Sequence, residues 1–139
     1  MRRSLIIWLV GWALFSLPWT TFTSEPQVER INWMPFRSRP RDQVLNLAYY
    51  APLGVLGVGF GLSATAVTGA GMLLSASAEL TQIFSTDRYP STTDFLLNSA
   101  GTLIGAALAK AAATKRRVSI GQSATLRTPR VTRTTDFEE

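Results

Sequence analysis

Asp42 to Glu79 reads DQVLNLAYYAPLGVLGVGFGLSATAVTGAGMLLSASAE, and between its two terminal acids there is no charged residue. A bilayer hydrocarbon core of about 30 Å takes about 20 helical residues. The stretch is too long for one crossing and suits two helices joined by a tight turn. Gly57, Gly59, Gly61 and Ser63 mark the turn, because glycine punctuates helices. The spacing places one span near residues 44–62 and the next near 65–85.

Upstream, the apolar run LIIWLVGWALFSLPW follows Met1-Arg2-Arg3, and Ser4 to Ser24 contain no charge. This predicts a span over about 4–22. A cleaved secretory signal would also have a basic start and an apolar centre. Trp8, Trp12, Phe15 and Trp19 are too bulky for its cleavage region, which favours a retained helix. The connector from Ser24 to Asp42 contains Pro26, Pro35 and Pro40, which break a continuous helix. Downstream, Asp87, Arg88 and Pro90 belong to a short surface loop, after which Ser91 or Thr92 caps a fourth span near 93–113. From Thr114 the chain is polar, Thr-rich and without apolar periodicity, which reads as disorder. The expected fold class is an all-α membrane protein: a bundle of four transmembrane helices over residues 1–113, with a disordered basic tail over 114–139.

Composition narrows the chemistry. The chain of 139 residues has no cysteine and no histidine, which excludes disulfides, thiolate nucleophiles and the commonest general base. Chemistry must then run on carboxylates, Arg, Lys, Tyr, Ser or Thr. GVGFG at 57–61 follows no strand, so it is weak as a dinucleotide loop. No metal site or cofactor is expected. The net charge of +5 comes from Lys and Arg that flank apolar runs, the membrane-protein pattern, and not from a nucleic-acid surface. Arg2, Arg3, Lys110, Lys115, Arg116 and Arg117 favour cytoplasmic termini in a multi-pass protein of the plasma (inner) membrane. The arginines of the first connector are the competing signal.

Asn46, Glu79, Gln82, Asp94 and Asn98 would be costly facing lipid. Ser75, Glu79 and Gln82 share one helix face, as do Asp94, Asn98, Gly101 and Gly105 on the next helix, and Asn46 and Tyr50 on the earlier one. At 1.5 Å per residue, all the costly groups fall within roughly 10 Å of one membrane boundary. Arg88 stands in the loop above. A helix-packing network accounts well for the asparagines, Gln82 and the glycines, since interhelical polar contacts are common in membranes. It accounts less well for two carboxylates and an arginine. Asn46, Glu79, Gln82, Arg88, Asp94 and Asn98 are therefore the candidate ligand-binding set, with Glu79 and Asp94 as catalytic candidates.

These residues stand in an order that resembles the VanZ-like family along most of the chain, from about Ile31 to Gly105. INWMPF (31–36) is similar to the family's Asn-x-x-Pro-Phe segment, and NLAYYAPLG (46–54) to its Asn-then-Pro-Leu-Gly helix. SASAELTQIF (75–84) resembles its Glu-x-x-Gln helix, and DRYPSTTDFLLNSAGTLIG (87–105) its Arg, Asp, Asn and Gly block. The positions carried over are Asn32, Pro35, Phe36, Asn46, Pro52, Gly54, Glu79, Gln82, Arg88, Asp94, Asn98 and Gly101. The tail after Lys110 lies outside the resemblance. The resemblance implies a cell-envelope membrane protein linked to glycopeptide (teicoplanin) resistance, and it supplies no reaction.

Two functions compete. The first is a non-enzymatic envelope protein whose partners are membrane lipids and a lipid-linked cell-wall intermediate, held in an outer-leaflet polar cluster. The second is an intramembrane enzyme on a lipid-linked phosphate substrate. There Glu79 and Asp94 act as base and acid, or as a divalent-metal pair with Asn98, and Arg88 neutralises phosphate. A transport role has little support without an internal repeat. Gly101-x-x-x-Gly105 permits oligomers, but packing within one chain serves it equally well. Lys115, Arg116 and Arg117 suit anionic inner-leaflet lipid, although a topology signal followed by disorder is the preferred reading.

Overall fold

The computed structural model describes residues 7, 10–12, 21–36 and 39–125. Its architecture is all-helical: a short 3-10 helix, Val28–Arg30, and three α-helices, α1 (Pro40–Gly59), α2 (Ala64–Gln82) and α3 (Thr92–Thr125). Two isolated β-bridges, and no strand, occur among the described residues. Most of the expected first span, 4–22, lies outside those residues. Ile7 and residues 10–12 are helical, and the Trp12 ring packs on Tyr49 and Tyr50 of α1 at 5.6 and 6.4 Å between centroids.

Local signals explain where each helix begins and ends. Pro40 opens α1 at its first turn, where a missing N–H costs nothing, and Asp42 complements the helix dipole. The helix runs through Pro52 and ends in a Schellman motif: Gly61, with φ 89°, lets the Leu62 N–H reach the Gly57 carbonyl at 3.1 Å and its own N–H reach Val58 at 2.9 Å. The turn thus rests on Gly61 alone of the three glycines expected there, since Gly57 and Gly59 are still helical. Ser63 caps α2, its Oγ accepting from the Ala66 N–H at 3.1 Å. Ser91 caps α3 more loosely, its Oγ 3.4 Å from the Asp94 N–H.

The spans expected at 44–62 and 65–85 correspond to α1 and α2, shifted toward the N-terminus. The fourth, 93–113, falls inside α3, but α3 continues to Thr125, so residues 114–125 of the expected disordered tail are helical. An Ala-rich run through AALAKAAAT carries strong helix propensity across the point where hydrophobic periodicity stops. Residues 126–139 lie outside those described. Within α3, Thr92–Ser119 is long and apolar enough to cross a membrane, and it alone among the described helices meets that test.

α1 and α3 meet backbone to backbone. A Cβ placed on Gly54 would strike the Thr102 carbonyl, one on Gly101 the Leu47 carbonyl, and one on Gly105 the Ala51 carbonyl. The small-xxx-small pair of α3 is therefore spent inside the chain. α2 closes on the same seam, where the Thr102 side chain fills the space above Gly71 and the Asn98 amide donates to Ser75 Oγ at 3.0 Å. The buried positions include Ser75, Asn98 and Thr102 beside Leu53, Val67 and Ala106, while Leu73 is 72% exposed, Leu108 63% and Leu103 53%. Many small and polar side chains thus sit inside beside Tyr50, Leu53 and Val67, while many large apolar ones face outward, which departs from the usual order in water.

The same change at two glycines should therefore act in opposite ways. Gly105→Ala should lower the unfolding stability of the purified protein by about 1–3 kcal/mol through overpacking. Gly69→Ala meets nothing within 4 Å and should be neutral or slightly stabilising, through the better helix propensity of alanine. Denaturant titration in mixed micelles, followed by circular dichroism, reads both.

Candidate functional site

The connector that precedes α1 is stitched to the loop between α2 and α3. The Thr23 N–H donates to the Phe84 carbonyl at 2.8 Å, Gln27 N–H to Ile83 at 2.7 Å, and Asn32 N–H to Pro90 at 2.8 Å. The Asn32 carbonyl in turn accepts from both the N–H and the Oγ1 of Thr92. Phe36, the one described non-glycine residue with a positive φ (61°), donates its N–H to Thr93 Oγ1 at 2.7 Å. Arg30 reaches the Thr86 carbonyl at 3.0 Å and lies 3.9 Å from the centre of the Tyr89 ring, a cation–π distance. The two polar segments thus form one cover over one end of the bundle.

Beneath the cover, Ser91 is the partition between two cavities. Its backbone N–H donates to Glu79 Oε2 at 2.6 Å, a short bond from the start of α3 to the last turns of α2. Its hydroxyl faces Asp94, and the Asn46 side chain lines the same cavity as Asp94. Around Asp94 lies a polar cavity of about 360 Å³ bounded by Asn32, Asp42, Asn46, Arg88 and Tyr89. Around Glu79 lies an almost wholly apolar cavity of about 300 Å³, walled by α2, the start of α3, and Ile31 and Trp33 of the connector.

The six expected ligand residues are therefore distributed, not pooled. Asn46, Arg88 and Asp94 line the polar cavity, and Glu79 lines the apolar one. Gln82 is buried at the end of α2. Asn98 is buried one turn below Asp94 and turned to Ser75. The Asn98 amide thus joins the helix seam through its N–H, while its Oδ1 is buried without a partner among the described residues. Among the described residues no group of three or more Asp or Glu stands close enough to hold a metal ion. Sequence reasoning passed over Ser91, Asp42 and Tyr89. Asp42 was legible as the last charge before the apolar run. Ser91 stood out only as a helix cap, and its backbone N–H carries no sequence signal.

Replacement of Glu79 separates the hydrogen bond from the charge. Glu79→Gln keeps a carbonyl for the Ser91 N–H, whereas Glu79→Leu leaves that donor unsatisfied, a cost of about 1–3 kcal/mol. Thermal unfolding in detergent should therefore place the Leu variant clearly below the Gln variant.

The chain was compared with known proteins on three levels. The family model described as VanZ/LLP1 matches residues 4–113. No curated protein and no solved structure matches. The matched region takes in the seam glycines, the cover and both cavities, and on that match the chain belongs to the VanZ/LLP1 family.

Proposed function

We propose that the protein is a multi-pass membrane protein of the cell envelope that binds the phosphate-bearing head of a lipid or lipid-linked cell-wall intermediate in the polar cavity. The observation that carries this reading is that Arg88 lines one cavity under the cover together with Asn32, Asn46, Tyr89 and the acids Asp42 and Asp94. A guanidinium can meet phosphate with two parallel hydrogen bonds, and Asp42 and Asp94 would accept from sugar or amine groups beside it. The association with glycopeptide resistance that gives the family its name belongs to the same proposal. Outward-facing leucines on α2 and α3, together with the apolar length of α3, support a bundle set in lipid, with the N-terminal apolar run as a further span. The enzymatic alternative draws on two carboxylates acting together. It is the weaker reading, because Glu79 and Asp94 open on different cavities with Ser91 between them.

Arg88→Gln should weaken binding of a polyprenyl phosphate to the protein in phosphatidylcholine nanodiscs by about ten-fold or more, the worth of one hydrogen bond to a charged group. Unchanged affinity would remove the polar cavity from the binding account. Orientation has its own readout, made clean by the absence of cysteine from the sequence. In the proposed topology the cover faces outward, so Arg88→Cys in intact cells should react with a membrane-impermeant maleimide and Arg117→Cys should react only after permeabilisation. The reverse pattern would invert the protein.

A further inference from the structure

The apolar cavity contains one feature that helix packing does not require. Its wall is built from Ile31, Trp33, Leu80, Ile83 and Phe95, and a carboxyl group, Glu79, opens into it. The polar groups of Ser91 and Thr92 in the lining are engaged. The Ser91 N–H is held by Glu79 and its hydroxyl by the Asp94 N–H, while Thr92 Oγ1 donates to Asn32. One oxygen of Glu79 accepts from Ser91, and among the described residues nothing donates to the other. Trp33 is 72% exposed and Leu80 62%, so the rim is itself apolar and would open sideways to hydrocarbon. A volume of about 300 Å³ is at the lower end of small-molecule sites.

We propose that this cavity is a second binding site, which takes the alkyl chain of an amphiphile whose first polar group is a hydrogen-bond donor, an ammonium or a hydroxyl, seated on the unengaged oxygen of Glu79. The chain fits because the exposed walls are almost wholly apolar. The head is defined by Glu79: when ionised it attracts a donor and disfavours phosphate, and this cavity has no cation in its lining to offset that, unlike the polar cavity with Arg88. Ser91 keeps the two apart, since its backbone N–H occupies the near oxygen of Glu79 and its hydroxyl serves the other side. An ordinary bilayer acyl chain could also enter the walls, but it would do so without regard to Glu79.

The test uses the full-length protein in phosphatidylcholine nanodiscs and a dodecylamine probe with a diazirine at its chain end, mapped by mass spectrometry after irradiation. Labelling is expected on Leu80, Ile83 or Phe95. Unlabelled dodecylamine or dodecanol should suppress it, and dodecyl phosphate at the same concentration should not. Glu79→Gln presents an amide donor where an acceptor is needed and should reduce labelling by about ten-fold, the equivalent of one charge-assisted hydrogen bond. Ala76→Trp, which fills the cavity, should abolish labelling, whereas Leu108→Trp on the open face of α3 should not change it. Equal competition by dodecyl phosphate would overturn the proposal, as would a Glu79→Gln variant that labels normally or labels confined to other helices. The polar cavity stands or falls on Arg88 and polyprenyl phosphate, so either site can fail without the other.

Discussion

Two backbones in contact set the terms for everything else in this protein. Where Gly54 of α1 faces Thr102 and Ala106, and where Gly101 and Gly105 of α3 face Leu47 and Ala51, there is no room for a single added carbon. In the lipid setting proposed for this bundle the hydrophobic effect would give helices no reason to associate, and dispersion over a close seam with a few interhelical hydrogen bonds would supply it. The seam provides both, with Asn98 bonded to Ser75 a turn away from the glycines. Because the contact is so close, it also fixes the axial register of α1 against α3. That register brings Asn46, near the start of one helix, level with Asp94, near the start of the other.

The cover makes use of that register. Helices brought together by glycine leave their first and last turns with unpaired backbone groups, and here the connector supplies partners for the loop and for the start of α3. Asn32 alone answers three groups, the Pro90 carbonyl and the N–H and hydroxyl of Thr92. Phe36 accepts an uncommon left-handed conformation and delivers its N–H to Thr93. An irregular chain is thereby held over the bundle firmly enough to roof two cavities of different character.

Much of this was legible in the residues. The uncharged run from 43 to 78 pointed to the helical hairpin, because it is too long for one crossing and carries turn glycines, and the breaks at Gly61, Ser63 and Pro90 followed from turn and cap chemistry. Depth from one boundary put Asn46 and Asp94 at the same level with Arg88 in the loop above, and the three line one cavity. Depth also pooled Glu79 with them, since it sets a level but says nothing of a backbone N–H from another segment that stands between two side chains. Asn98 shares a face with Asp94 and lies one turn deeper, which was enough to turn it to Ser75. The reach of α3 past Ala113 was missed for a different reason: the polar composition there suppressed periodicity, while helix propensity, a separate property, carried on.

The length of α3 has a geometric consequence. Its 34 residues at 1.5 Å each span about 51 Å, against about 30 Å of hydrocarbon. In the bilayer setting proposed above, with Asp94 near one headgroup layer, the helix would not end in the other. Its final turns would emerge as a stiff post, with Lys115, Arg116 and Arg117 where that post leaves the lipid, well short of its tip. Such a post would act as a ruler: it would fix how far from the membrane surface its last turns are held, and that height would not depend on what the cavities at the opposite end contain.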